Sequence, residues 1–258
     1  MRNASVKLIM PVIKKLLHTL LSISGFIPEH TTFYRALFMG ASILLSVIVL
    51  PKYLQIDYAI AYFALSTVVY IGFIFLLLPE KGLRLKLMAA LGEEKAYLYY
   101  EGFLAFAFFH NGVSLGFISK SSVGSGFGND FPQAIVMVVA PLLFSVGLVV
   151  KIWSAYVVGI PIYYWKDMFL GRKVTDFVIT GPYKYFNNPM YGIGQVQVYA
   201  IALYYTSAYG IIFGAINQIL VFSFYFIVEK PFIKRTYLTS ENPDSHPLKT
   251  LLHQNNKE

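Results

Sequence analysis

The sequence predicts an all-α integral membrane protein with about six transmembrane helices. Three observations lead to that fold class. Of the 258 residues, 57% are hydrophobic and only 13% are charged; apolar runs of near-spanning length recur along the chain; and lysines and arginines gather in alternate connections. A soluble domain of this length needs more charge on its surface. With no shift in composition to mark a boundary, we expect residues 1–258 to form a single membrane domain.

Six apolar runs approach the roughly 20 residues that a helix needs to cross the hydrocarbon of a bilayer. The predicted spans are 34–50, 58–78, 97–118, 134–160, 190–205 and 208–228. Only Thr206 and Ser207 separate the last two runs. The fifth and sixth spans are therefore expected to form a C-terminal helical hairpin.

Residues 1–30 precede the first span and contain a leucine-rich stretch at 6–23. Lys14 and Lys15 lie inside this apolar stretch, and Pro11 interrupts it. A signal peptide keeps charges out of its apolar region. We therefore predict an interfacial segment, with an N-terminal amphipathic helix lying on the membrane surface.

Basic residues are distributed unevenly between the predicted connections. Eighteen of the 21 lysines and arginines fall before or just inside the first span, in the second and fourth connections, or after the last span. Lys52 and Lys120 fall on the other side, and Lys151 lies within the fourth span. Because cytoplasmic loops retain Lys and Arg, both termini are predicted to be cytoplasmic. The net charge of +8 then reflects topology and anionic lipid, not nucleic-acid binding.

Several classes of chemistry are disfavoured by composition and spacing. The chain has no cysteine, which excludes a disulfide framework, a thiolate nucleophile and a cysteine metal site. Glu101, His110 and Asn111 form a polar set in the third span, but they are not spaced as metal ligands. We expect them to bond to one another or to a neighbouring helix, and we predict no metal.

The segment from Gly181 to Gly194 reads GPYKYFNNPMYGIG. Gly181 and Pro182 together favour a turn. Asn188 followed by Pro189 is typical of a helix start, with Asn as N-cap and Pro at the first helical position. We therefore expect the fifth span to begin there, offering backbone N–H groups and the positive end of its dipole to a carboxylate or phosphate.

In a helical hairpin the start of one helix lies beside the end of the other. Glu229 is expected to end the sixth span and to lie close to the level of Tyr191. The aromatic residues of the motif segment should surround it: Tyr183, Tyr185, Phe186 and Tyr191. Since aromatic faces and a carboxylate both favour positive charge, this patch would accept a sulfonium or quaternary ammonium ligand.

Two motifs carry a resemblance to a known family. NNPMYGIG at 187–194 and VEKPFIKRTY at 228–237, separated by the hairpin, resemble the phosphatidylethanolamine N-methyltransferase family, and more broadly the isoprenylcysteine carboxyl methyltransferase superfamily. The stretch 147–153, followed by Gly159, is similar to the span before the motif loop in those families. The Asn-Pro-Met-Tyr form matches the phospholipid branch, whereas Lys230 stands where a second acid is usual.

The resemblance covers a methyltransferase motif region at 147–237 and leaves 238–258 as a polar tail. It implies that S-adenosylmethionine is the cofactor and that phosphatidylethanolamine is N-methylated, towards phosphatidylcholine, at the cytoplasmic membrane face. The protein would be multi-pass, in a bacterial inner membrane or the endoplasmic reticulum. Its partners would be the phospholipid substrate and the bilayer, and no oligomeric state is predicted.

The candidate cofactor-binding residues combine the motif segment with one acid and one base. They are Lys151, Tyr183, Asn187, Asn188, Pro189, Met190, Tyr191, Gly192, Gly194 and Glu229. Methylation of an ammonium group also requires a base to take one proton. Glu229 is the first candidate for this catalytic role and Asp167 the second.

Three alternatives remain open at this point. The same chemistry could act on another lipophilic acceptor, such as a prenylcysteine carboxylate. A membrane transporter or channel would instead depend on Glu101, His110 and Lys151, because ionisable residues within spans often mark a pathway. A structural membrane protein that kept the fold without the cofactor is the third.

Overall fold

The computed structural model describes residues 2–53, 55–126 and 132–238, and these residues form helices and turns but no strand. The predicted polar tail, 238–258, lies outside the described residues except for the backbone of Leu238. The helices, in chain order, are α1 (Arg2–Ile23), α2 (Phe33–Lys52), α3 (Ile56–Leu77), α4 (Arg84–Leu91), α5 (Glu93–Ser121), α6 (Gln133–Val158), α7 (Ile160–Tyr163), α8 (Lys166–Leu170), α9 (Ile193–Tyr204) and α10 (Ala208–Tyr237).

Five helices in the described part of the chain are long and apolar enough to cross a membrane, namely α2, α3, α5, α6 and α10. They correspond to five of the predicted spans, and the all-α membrane fold is confirmed. The predicted fifth span, 190–205, is present as the shorter helix α9. This helix packs against α6 and α10, so the C-terminal hairpin is also confirmed.

Helix α9 begins later than predicted. Gly192 has φ −87° and ψ −99°, which lies outside the helical region, so the predicted helix start at Asn188 and Pro189 is wrong. The Gly192 N–H donates to the Asn188 carbonyl at 2.9 Å, and the Gly194 N–H donates to the Pro189 carbonyl at 2.8 Å. The NPMYG stretch is therefore a series of closed turns, and Asn188 is not an N-cap.

Helix α10 continues past Glu229, so the predicted end of the last span is also wrong. Pro231 has no N–H and normally interrupts α-helical bonding. Here Tyr225–Glu229 forms a π-helical turn, in which the Lys230 N–H donates to the Tyr225 carbonyl. The wider turn carries the helix through the proline and on to Tyr237.

Buried polar pairs join α5 to α3 within the bundle. The Asn111 amide donates to the Thr67 hydroxyl at 3.0 Å, and the Ser66 hydroxyl donates to the Ser114 hydroxyl at the same distance. His110 bonds to the Tyr62 hydroxyl. The expectation that this polar set would bond to a neighbouring helix is confirmed for His110 and Asn111, and a catalytic role is not needed to explain their contacts.

Helix α1 packs against α6 and α7. The Tyr164 hydroxyl donates to the Ser22 carbonyl at 2.7 Å, and Thr19 is buried, whereas Leu17 and Leu21 are exposed. The helix is thus anchored to the end of the bundle where α6 ends. The placement of residues 1–30 on the membrane interface stays a prediction.

Candidate active site

A cavity of about 230 Å³ lies at the end of the bundle where α6 ends and α9 begins. Its walls come from α3, α5, α6 and α10, from the segment around α7 and α8, and from the turns before α9. The connection 159–181 lines the cavity, and the connection 78–92 lies at the same end, because its Arg84 donates to the Phe169 carbonyl at 3.0 Å. The motif segment therefore forms one wall of the cavity, while its residues 184–187 are exposed.

Most of the predicted site residues line this cavity. They are Lys151, Asp167, Tyr183, Asn187, Asn188, Met190, Tyr191 and Glu229. Gln195 also lines it and is 8% exposed. Tyr185 and Phe186 do not belong to it, since they are 69% and 45% exposed, so the expected convergence of four aromatic residues holds for only two of them.

Pro189, Gly192 and Gly194 shape the wall without lining the cavity. Gly194 is buried, and a Cβ atom there would meet the Pro189 carbonyl at 3.1 Å and the Lys151 Cβ at 3.5 Å. A Cβ atom on Gly192 would lie 3.3 Å from the Asn188 carbonyl. The lack of a side chain at Gly194 lets the motif segment approach α6, where Lys151 lies.

Glu229 is half-buried in the cavity wall. The Tyr191 hydroxyl donates to Glu229 Oε2 at 2.7 Å, and the Trp165 side chain is a second hydrogen-bond partner of the carboxylate. Tyr191 is itself held by Gln218, whose amide donates to the Tyr191 carbonyl at 2.9 Å. The structure thus brings Glu229 and Tyr191 together across the hairpin, and their roles stay predictions.

Sequence reasoning missed Trp165. Its backbone is left-handed, with φ 53° and ψ 41°, an uncommon conformation for a residue with a large side chain. Trp165 is buried and packs edge-on against Phe224 of α10, with ring centroids 5.2 Å apart. No sequence pattern marks this conformation, which turns the indole towards Glu229.

Lys151 contributes a positive charge to another part of the wall. Its Nζ lies 4.6 Å from the centre of the Phe108 ring, a cation–π distance. Lys151 forms no ion pair with any residue that the structure describes. The cavity is therefore lined by one acidic and one basic side chain, Glu229 and Lys151, that do not form an ion pair with each other.

One carboxylate oxygen of Asp167 accepts several hydrogen bonds. Its Oδ2 accepts hydrogen bonds from the Val174 N–H at 3.3 Å, the Thr175 N–H at 3.2 Å and the Thr175 hydroxyl at 2.9 Å. The Tyr237 hydroxyl, at the end of α10, donates to the same oxygen. One carboxylate oxygen therefore joins the segment after α8 to the end of the last helix.

The segment held by Asp167 covers part of the cavity. We call residues 172–180 the cavity loop, and three of them, Phe177 to Ile179, line the cavity. The loop lies between Gly171 and Gly181, whose φ angles are +73° and +62°. Because both flanking residues adopt conformations that favour glycine, the chain turns sharply at each end of the loop.

Tyr237 was not singled out from the sequence because α10 was expected to stop at Glu229. On a continuous helix Tyr237 lies about 12 Å farther along the axis than Glu229. Its ring also packs against Phe177 of the cavity loop, with centroids 5.2 Å apart. A correct prediction of where α10 ends would have placed Tyr237 on the same helix as Glu229 and near the cavity.

Tyr183 supplies a neutral hydroxyl to the cavity. Burial raises the pKa of this hydroxyl, and the Glu229 carboxylate raises the pKa further. Tyr183 therefore stays protonated at neutral pH and can donate a hydrogen bond to a ligand.

Within the described residues, no cluster of three or more His, Asp or Glu side chains is arranged to hold a metal ion.

The three residues considered for a transport pathway have different contacts and do not line one common cavity. Glu101 accepts hydrogen bonds from Tyr97 at 3.0 Å and bonds to His30 at 2.8 Å, and only Lys151 lines the cavity. His110 bonds to Tyr62 and is not part of the cavity wall. These contacts favour a ligand cavity over a continuous polar path.

Comparison with known proteins finds similarity in the C-terminal part of the chain. A family model described as phospholipid methyltransferase matches residues 135–240. Phosphatidylethanolamine N-methyltransferase B of Dictyostelium discoideum is 27% identical over 107 residues, which cover 42% of this chain and 53% of that relative. The match therefore spans about half the length of the relative. No solved structure gives a significant match.

The matched region begins before the predicted motif region, 147–237, and contains all of it. It includes α6, the motif segment, α9 and α10, which together supply Lys151, Tyr191 and Glu229. Both comparisons are with phospholipid methyltransferases. Residues 135–240 are thus similar to the phospholipid methyltransferase family, which confirms the resemblance that the motifs predicted.

Proposed function

We propose that the protein transfers a methyl group from S-adenosylmethionine to the amine of phosphatidylethanolamine. One observation carries the proposal: inside the family-matched region, Glu229 and Lys151 line a single aromatic cavity without forming an ion pair. The relative from Dictyostelium is named for the same acceptor, which supports the choice of lipid.

The cavity residues fit the proposed cofactor. S-Adenosylmethionine carries a sulfonium, and its amino-acid end carries an ammonium and a carboxylate. Glu229 and the rings of Tyr183 and Tyr191 suit the positive groups, and Lys151 suits the carboxylate. An apolar wall with a few fixed polar groups is also typical of a small-molecule site. We therefore assign these four residues to cofactor binding.

When bound, the cofactor supplies a methyl group on sulfur, and the acceptor nitrogen forms the new N–C bond as the C–S bond breaks and sulfur keeps the electron pair. The acceptor amine enters as an ammonium group and must first lose a proton. Glu229 takes this proton, and Tyr191 and Trp165 hold the carboxylate in one orientation. Positioning of the two reactants accounts for much of the rate in such a transfer.

We assign Asp167 to the cavity loop instead of the reaction. Four donors converge on its Oδ2, so this oxygen is occupied by contacts with the segment after α8 and with α10. Its contribution is to keep Phe177 and its neighbours over the cavity. Exclusion of water by the closed loop would strengthen the electrostatic contacts inside.

We place the reaction at the cytoplasmic face. The support is that the cavity lies at the same end as the connections 78–92 and 159–181, which carry most of the basic residues between the spans. S-Adenosylmethionine is a cytoplasmic metabolite, and the acceptor would enter from the adjoining leaflet. Several of the cavity's basic neighbours, among them Lys230, could attract the lipid phosphate.

The experiment is methyl transfer by purified protein in nanodiscs. Methyl-labelled S-adenosylmethionine is supplied with phosphatidylethanolamine, its mono- and dimethyl derivatives, or a prenylcysteine, each in a phosphatidylglycerol background. Label in the first lipid supports the proposal. Cofactor binding with no label in any phospholipid would remove this substrate class, and label in the prenylcysteine alone would favour the other acceptor. Failure to bind the cofactor would favour a structural protein.

A further inference from the structure

An apolar groove of about 580 Å³ lies at the end of the bundle opposite the candidate active site. It is formed by the last turns of α2, α5 and α9 and by the first half of α6. The candidate active site instead uses the start of α9 and the end of α6. Since helices in a bundle run side by side, the two sites are separated by most of the membrane thickness.

The groove adjoins the two basic residues that were predicted for the non-cytoplasmic side. Lys120 lines the groove, and Lys52 directly follows Pro51, which also lines it. Both lysines are exposed. Neither forms an ion pair with another residue in the described ranges. Thus one lysine lines the apolar groove, and a second lies next to a groove residue in the chain.

The groove extends from the helix ends into the hydrocarbon region. Val113 and Lys120 both line it, and their positions on α5 lie about 10 Å apart along the helix axis. Between them, Gly116 leaves open space, because an added Cβ atom would meet nothing within 4 Å. Tyr204 and Tyr205 complete the rim, as aromatic residues commonly do at a membrane interface.

The end of α9 is level with the end of α5 on this side of the bundle. The Gly124 N–H, just after α5, donates to the Tyr205 carbonyl at 3.1 Å, just after α9. Tyr204 and Tyr205 therefore lie beside the last turns of α5, where they line the groove.

We propose that this groove binds one anionic glycerophospholipid. An acyl chain lies along Gly116 and Phe144, and the headgroup phosphate contacts Lys120 and Lys52. Apolar contact and charge complementarity select this ligand together. The site goes beyond the proposed function, because the bound lipid is remote from the cavity and is not the methyl acceptor.

The test is native mass spectrometry of the full-length protein after incubation with phosphatidylglycerol, phosphatidylcholine or diacylglycerol in mild detergent. We expect one phosphatidylglycerol to be retained in preference to the other two lipids. Gly116→Phe fills the groove and should abolish retention. Lys120→Gln should lower occupancy about fivefold, the effect expected for one lysine near an anionic headgroup.

Gly112→Phe is the matched control. Gly112 lies one turn earlier on α5, also has open space around its Cβ position, and does not line the groove, so its variant should retain the lipid. Equal retention of the three lipids would overturn the proposal. Equal loss in the Gly112 and Gly116 variants, or no loss in either, would also overturn it. Methyl transfer is not a readout of this experiment, so failure of the proposed function leaves its result interpretable.

Discussion

Glu229 and Lys151 have opposite charges and line one cavity, yet each is held by other groups. The Glu229 carboxylate bonds to Tyr191 and Trp165, and the Lys151 ammonium lies over the Phe108 ring. Charges within a membrane protein that lack an ionic partner are costly. The proposed cofactor would supply both missing charges, because it carries positive groups and a carboxylate.

Substitution of Glu229 tests its proposed role as the proton acceptor. We expect Glu229→Gln to lower methyl transfer by roughly 10²- to 10⁴-fold, since the amide cannot take a proton from the acceptor. The Tyr191 hydroxyl can still donate to the amide oxygen, so the fold should be retained. The rate of label transfer to phosphatidylethanolamine is the measurement. Glu94→Gln, at an exposed position, is the control, and full activity in the Glu229 variant would exclude this role.

Substitution of Lys151 tests its proposed role in binding the cofactor carboxylate. Lys151→Met keeps an apolar stem of similar length but removes the charge, and we expect the Kd for S-adenosylmethionine to rise about tenfold because one charge-assisted contact is lost. Equilibrium binding of labelled cofactor measures this change. Lys86→Met, at an exposed position outside the cavity, should bind normally. Unchanged affinity in the Lys151 variant would contradict the assignment.

Asp167 joins the cavity loop to α10, and Phe177 of the loop also packs directly against Tyr237 of α10. On the side away from α10, Arg84 supports the start of the loop by donating to the Phe169 carbonyl at 3.0 Å. Its guanidinium also occupies the space beside Gly171, within 3 Å of where a Cβ atom would lie. The loop is thus supported at its base by Arg84 and held by Asp167, by the Arg172–Glu93 ion pair and by the contact of Phe177 with Tyr237. Of these, Asp167 makes the most hydrogen bonds to the loop, so loss of its charge should loosen the loop.

Asp167→Asn should release the cavity loop. An amide retains one acceptor oxygen but loses the charge that strengthens four hydrogen bonds, and we expect local opening to become about tenfold more frequent. Trypsin cleavage after Arg172 or Lys173 measures this opening. Asp176→Asn is the control, because Asp176 in the same loop is exposed and pairs only with Lys173. Equal cleavage rates in the two variants would show that Asp167 does not pin the loop.

The elements also show where local sequence signals were sufficient. Long apolar runs predicted five spans because helix length in a membrane is set by bilayer thickness. The proximity of Glu229 and Tyr191 followed from the hairpin alone. The helix ends were missed because Asn188 and Pro189 satisfy their backbone groups in turns and because a π-turn accommodates Pro231. The Asp167 contacts join residues 7, 8 and 70 positions apart, and no sequence period encodes them.

At the scale of the whole molecule, the two ends of the bundle differ in charge and in the kind of cavity they hold. The end with the candidate active site carries the connections rich in lysine and arginine, whereas the groove end carries Lys52 and Lys120. The proposed function requires the first end to face the cytoplasm. Charge asymmetry of this kind normally sets the orientation of a multi-pass protein.

The absence of cysteine from the chain makes this orientation directly measurable. We expect a membrane-impermeant thiol reagent to label Ser125→Cys in intact cells and to label Glu94→Cys only after the membrane is permeabilised. Both positions are exposed and lie at opposite ends of α5. The unsubstituted chain serves as the blank. The reverse labelling pattern would place the cavity on the wrong side for a cytoplasmic cofactor.

The continuity of α10 through its π-turn places Glu229 and Tyr237 on one helix. A displacement of this helix that separates Tyr237 from Asp167 must also move Glu229 relative to the rest of the cavity. A ligand that holds Glu229 in place therefore also favours the closed loop. By reciprocity, closure of the loop favours the ligand, so binding and enclosure should be cooperative without any dedicated sensor.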